Sequence, residues 1–262
     1  MGEAGLLVKP PTRKAAVEAL QNVKRLRPQA VLLNLPVNIE ELLNSYSKGE
    51  IDYEHFRESI YDLLPEPAGA WIKEYEILFR ELPGIGELTD IYCYVDSEFF
   101  NQEANTSIEI ALLTIRSIIT ERIDVKEWIK VLEKSVHSEV ERWNREVSKI
   151  IDIARSYDRV ACISGFEGKH IKRELDQAGI GSWIKYLDQP YHFTPLEILK
   201  RLIMLDRVDE ELSMKLIREH IRFLREYIYS MPYTEAVEKW VRERLYWLPV
   251  RSFDGALKGG SP

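Results

Sequence analysis

Cysteine is scarce in this chain: only Cys93 and Cys162 occur among 262 residues, each inside an apolar, strand-like run. Two isolated thiols make neither the disulfide framework of a small secreted domain nor a paired Cys-x-x-Cys centre, so both read as buried thiols in a reducing, intracellular setting. Histidine is equally thin. His55, His137, His170, His192 and His220 include no pair at the i, i+3 or i+4 spacing that sets two imidazoles on one helix face, so neither a metal site nor a cofactor is expected. No apolar stretch approaches the roughly 18 residues of a membrane span. The opening Met1-Gly-Glu-Ala-Gly-Leu-Leu-Val8 lacks the basic flank and long apolar region of a secretory signal. A soluble, cytoplasmic protein is the expectation. Positive charge is in deficit, 36 Lys and Arg against 43 Asp and Glu, and the net charge of −7 repels nucleic acid and anionic lipid. A Walker loop, His-Glu-x-x-His and a Gly-x-Ser-x-Gly elbow are absent, as are internal repeats.

What is present suits a sizeable core: 45% of residues are hydrophobic, while 30% are charged and fall on Glu- and Lys-rich helical faces of a kind found in thermophiles. Gly5–Val8, Ala30–Leu35, Thr89–Asp96, Arg159–Ser164 and Trp183–Leu187 read as strands. Helices are expected at Arg13–Arg27 behind a Thr12 cap, at 37–47 and 52–64, at about 68–81, and at Ser107–Arg122 with Ile108, Ala111, Leu112, Ile115, Ile118 and Ile119 along one side. From Val125 to Ala154 apolar positions alternate spacings of three and four without Gly or Pro, which predicts one long helix. Further helices follow at about 168–178, 195–204, 206–230 and 233–246. Together these predict an α/β fold: a central, largely parallel sheet of about four or five strands over residues 1–190, with a loop-rich insertion at about 65–88. A helix-rich C-terminal region over 191–254 and a flexible tail over 255–262 complete the expected organisation.

Chemistry is sought first at Arg159–Leu175, where an apolar run breaks at Ser164-Gly165 and resumes as a helix, because the carboxyl end of such a strand is where α/β proteins bind ligands. The loop Gly165-Phe-Glu-Gly168 either permits a tight turn or offers backbone amides, with Lys169 and His170, to an anion or oxyanion. On the long helix His137, Glu141, Asn144 and Ser148 form one polar stripe beside the ridge Val136, Val140, Trp143, Val147, and such a border can line a pocket. Asp96 ends the third strand. Asn34 interrupts an apolar strand, where a buried amide needs hydrogen-bond partners. In helix 206–230 the stripe Leu205, Val208, Leu212, Leu216, Ile221, Leu224 and Ile228 offers a surface for a protein partner or for self-association through the C-terminal helices.

Three segments carry a resemblance. Arg27-Pro-Gln-Ala-Val-Leu-Leu-Asn-Leu-Pro36, Glu141-Arg-Trp-Asn144 and Val160–Leu175 are similar, in order and spacing, to the strand and helix motifs of the TraB/PrgY-like family and its ChaN and erythromycin-esterase-like relatives. The resemblance implies a degenerate member. Asn34 stands where that family carries a strand glutamate, Gly168 where it carries a histidine with His170 displaced by two, and Val8-Lys-Pro-Pro-Thr12 replaces a Gly-Thr-x-His pattern. A non-catalytic scaffold or ligand-sensing protein follows, its cleft at Asn34, Asp96, Glu141, Asn144 and Gly165–His170. The rival reading is a hydrolase in which Glu141 is acid and base, His170 replaces the lost histidine and the Gly165–Gly168 amides hold an oxyanion.

Overall fold

The protein is described here by a computed structural model covering residues 2–66, 68–86 and 89–244. The tail at 255–262 and the end of the helix expected at 233–246 lie outside the described residues, as do Pro67, Glu87 and Leu88 of the insertion. The described residues form an α/β fold with a five-stranded parallel sheet and a helix-rich C-terminal region. The strands are β1 (Glu3–Val8), β2 (Ala30–Pro36), β3 (Asp90–Val95), β4 (Arg159–Ser164) and β5 (Gly181–Tyr186), in the order β3-β2-β4-β1-β5.

All strand pairs are parallel, so the central ones are buried on both faces and read as unbroken apolar runs. Leu6, Leu7, Leu32, Leu33, Ala161 and Cys162 accordingly sit in the main core. Cys93 and Cys162 are both free and buried, on strands separated by β2. Burial pushes both thiols well above the usual range, which makes them inert.

Helix α1 (Arg13–Leu26) begins at Thr12, whose hydroxyl accepts from the Ala15 amide and donates to Asp188 at 2.7 Å. A 3₁₀ turn at Val37–Ile39 leads into α2 (Glu40–Ser47), and α3 (Tyr53–Leu63) starts at the Asp52 cap. The insertion holds the helix expected at about 68–81, α4 (Ala68–Glu81), and adds the short α5 (Pro83–Gly86), where proline suits a helix start because its missing N–H is not needed there. Helix α6 (Ser97–Thr120) is ten residues longer at its start than the apolar pattern implied, since Asp96 caps it. Helix α7 (Val125–Arg155) has 31 residues, about 46 Å of unbroken helix.

Helix α8 (Gly168–Gln177) joins β4 to β5, and α9 (Pro195–Met204) opens with a capping box between Thr194 and Glu197. The single helix expected at 206–230 is instead α10 (Glu210–Phe223), begun by the Asp209 cap, plus a π-turn at Leu224–Ile228; α11 (Tyr233–Glu243) follows Pro232. Leu216, Ile217 and Phe223 are core, packed with Trp128, Leu132 and Leu199 or with Trp240, while Leu205, Val208 and Leu212 at the start of the stripe stay exposed. No helix among the described residues is long and apolar enough to cross a membrane.

Candidate functional site

The chain leaves β2 toward β3 on one side of the sheet and leaves β4 toward β5 on the other, so the carboxyl ends of β2 and β4 flank a topological switch point. That is the crevice in which open α/β sheets bind ligands. Asn34 stands on its β2 side. The β2–β3 register runs from Leu33 opposite Cys93 to Pro36 opposite Val95, so β2 carries one extra residue there. This bulge interrupts the ladder beside Asn34 and turns its amide toward the β4 loop.

The loop supplies a carboxylate that nothing in the sequence pattern marks. Glu167, buried between Gly165 and Gly168, folds back so that Oε1 accepts from Asn34 Nδ2 at 3.1 Å, from the Tyr94 hydroxyl at 3.1 Å and from the Gly165 amide at 2.8 Å. Glycine at 165 makes this possible, because a Cβ would lie 2.6 Å from Glu167 Oε2. Gly168 is fixed as tightly: a Cβ there would meet Ser164 Oγ and Val8 Cγ2, both at 2.6 Å. The Gly168 amide donates to the Gly165 carbonyl at 3.2 Å. The anion held by the Gly165–Gly168 loop is therefore the protein's own. Tyr94 is driven to a higher pKa by burial and by the adjacent Glu167 charge, so it remains a neutral donor.

A second carboxyl borders this set from α7. Glu146 is buried, and desolvation raises it from the ordinary 4.5 to about 8; Arg142 opposes the shift and the Glu167 charge adds to it. Glu146 Oε1 lies 3.4 Å from Arg142 Nε as an ion pair, yet neither atom makes a hydrogen bond. Desolvation outweighs so poorly aligned a contact and the Asp96 backbone hydrogen bond that also favours the charged form, so burial favours the protonated acid near neutral pH. Arg142 has its better partner in Glu103 Oε2 at 2.9 Å. Ser164 Oγ, also buried, makes no hydrogen bond.

Of the residues the sequence singled out, Asn34, Gly165 and Gly168 meet at this crevice. The others do not. Asp96 is the α6 cap, its Oδ1 accepting from the Glu98 amide at 2.8 Å. His137, Glu141, Asn144 and Ser148 are all exposed, and among the described residues Glu141 pairs with His137, at 3.4 Å. The stripe that borders the core lies on the opposite flank of the ridge: Ser135, Glu139, Arg142, Glu146 and Lys149. Opposite charges balance there, with Glu139 on Lys200 at 2.6 Å and Lys149 on the Cys93 carbonyl at 2.7 Å and near Glu40. A stripe bordering a core must be charge-compensated, and that alternation was the readable signal. The small cleft over this stripe, lined by Phe99, Glu103, Ser135 and Arg142 among others, has room of about 10 Å³, one water molecule. Lys169 is exposed. His170 packs beside Trp143, its Nδ1 2.9 Å from Arg173, and burial followed by the Arg173 charge lowers its pKa.

Among the described residues no three His, Cys, Asp or Glu side chains gather as a metal site would require. No family model, curated protein or solved structure matches the chain.

Proposed function

We propose that this chain is a non-catalytic, cytoplasmic α/β scaffold of TraB/ChaN-like descent, whose ligand crevice has been filled from within. The observation that carries the reading is the Glu167 carboxylate, which occupies the switch point and consumes the Asn34, Tyr94 and Gly165 donors that a bound ligand would use. A second observation supports the degenerate descent. The position matching the family's histidine is Gly168, where even a Cβ would overlap Val8 and Ser164.

One other reading has an observation in its favour. Glu146, raised by burial and by the nearby Glu167 charge, is a carboxyl suited to act as a general acid at this crevice. A hydrolase built on these two carboxyls needs the crevice to open, and it replaces the Glu141 and His170 pair read from the sequence. A panel of chromogenic acetyl ester, anilide and phosphomonoester substrates separates the two, run with wild type, Glu146→Gln and Glu167→Gln. The scaffold reading expects the three proteins to be indistinguishable from buffer. Turnover by wild type that disappears in either variant, with circular dichroism unchanged, overturns it.

A further inference from the structure

The C-terminal half of α6 leans chiefly on α7. Its inward positions Ile110, Leu113, Thr114 and Ser117 are buried there. Its outward positions are not polar: Ile108, Leu112, Ile115 and Ile119 follow one another at spacings of four, three and four, with Ile118 beside them, and all five are exposed, from 38% for Ile118 to 76% for Ile119. Alternating threes and fours of Ile and Leu make the a/d seam of a coiled coil, and here about three turns of it face water. The seam leaves roughly 500 Å² of apolar surface per chain, in the upper part of the about 300–600 Å² that the largest patch of a monomer ordinarily reaches.

We infer that this face is a self-association surface on which α6 of a second copy packs antiparallel, about a two-fold axis between Leu112 and Ile115. Charge selects the orientation. The residues flanking the seam toward α7 are Glu109 and Arg116, already paired with Lys134 at 3.2 Å and with Glu127. In an antiparallel pair this flank faces itself, so Glu109 of each chain approaches Arg116 of the other; in a parallel pair it would face Ala111 and Ile118, which carry no charge. The antiparallel register sets Leu112 against the partner's Ile115 and Ile108 against the partner's Ile119, so one patch complements itself, as an isologous dimer requires. Two seams bury about 1,000 Å², the area an interface must clear and the size of a weak, concentration-dependent association. The inference concerns a different face from the crevice and holds whether or not that crevice is catalytically silent.

The test is the mass of the full chain in solution by sedimentation and light scattering over a concentration series. The wild type is expected to dimerise, and Leu112→Glu and Ile115→Glu to be folded monomers, since both positions are exposed in the single chain. Orientation is read by mild oxidation of Leu112→Cys and Ile115→Cys proteins. The mixture should cross-link at least about tenfold more than either variant alone, because the native thiols are buried and only a 112–115 contact is close. A monomeric wild type overturns the inference, as does a dimer that survives both glutamates. Self-cross-linking of Leu112→Cys alone would mean a parallel pair, and binding of a monomer to phosphatidylcholine vesicles would assign the face to lipid; either result refutes it.

Discussion

Replacing Glu146 by glutamine should stabilise the protein at neutral pH, although it removes a carboxyl that lies 3.4 Å from the Arg142 guanidinium. The folded value of Glu146, about 8, lies above the ordinary 4.5. A carboxyl raised on folding contributes fully to stability below pH 4.5 and loses that contribution as pH rises to 8. At pH 7 the wild type must hold a proton that the unfolded chain releases, at about 1.4 kcal/mol per pH unit above 4.5, or about 3 kcal/mol. Glutamine has the shape of the neutral acid and holds no such proton, while Arg142 keeps Glu103 at 2.9 Å. Urea unfolding followed by circular dichroism from about pH 4.5 to pH 8 should therefore show equal stabilities at the acid end, with the variant gaining steadily toward neutrality. If Glu146→Gln is less stable than wild type at pH 7 by 1 kcal/mol or more, the carboxyl is ionised and held by Arg142, and the assignment of a neutral acid fails.

His220 behaves in the opposite sense. Buried beside Trp128, with neither ring nitrogen hydrogen-bonded, it falls from the ordinary 6.5 to about 4. Its contribution is complete above pH 6.5 and is lost as pH falls toward 4, so His220→Phe should gain about 2 kcal/mol on the wild type between pH 6.5 and about pH 5. The His220 and Glu146 slopes oppose each other in the wild type, and each is visible only as a difference between variant and wild type. Gly168→Ala should cost about 1–3 kcal/mol in denaturant unfolding because its Cβ overlaps two buried neighbours, whereas Gly84→Ala, with nothing within 4 Å of its Cβ, should stay within about 0.5 kcal/mol of wild type; equal effects would refute the close approach at 168.

Backbone architecture was legible because parallel strands and amphipathic helices leave a periodic trace: all five strands and the span of α7 were readable from apolar spacing. The start of α6 was not, since Ser97–Thr106 mixes Phe99 and Phe100 with Asn, Gln and Glu, and only the Asp96 cap marks it. At the site, Asn34 stood out as a polar break in an apolar run. Glu167 did not, because a carboxylate in a glycine-bearing loop looks solvated until the chain folds it back on its own amide. The polar stripe of α7 that borders the core lies one residue before the ridge, not one residue after it. Periodicity gives a helix two equivalent flanks, and the decision between them rests on Glu103, Lys200 and Glu40, which come from elsewhere in the chain.

The position of β4 in the sheet has a consequence for how the chain reaches its fold. Arg159–Ser164 lies between β1 and β2 and pairs with both, Leu6 and Leu32 each standing opposite Cys162. During synthesis β1 and β2 therefore emerge with nothing between them, and their facing edges stay unpaired until the whole of α7 has left the ribosome. An N-terminal fragment ending before residue 159 would expose two apolar strand edges, the kind of surface that aggregates or recruits chaperones. Contacts so distant along the sequence also make nucleation slow. The long, locally determined α7, which delivers β4 to its slot, is the element able to form first and shorten that search.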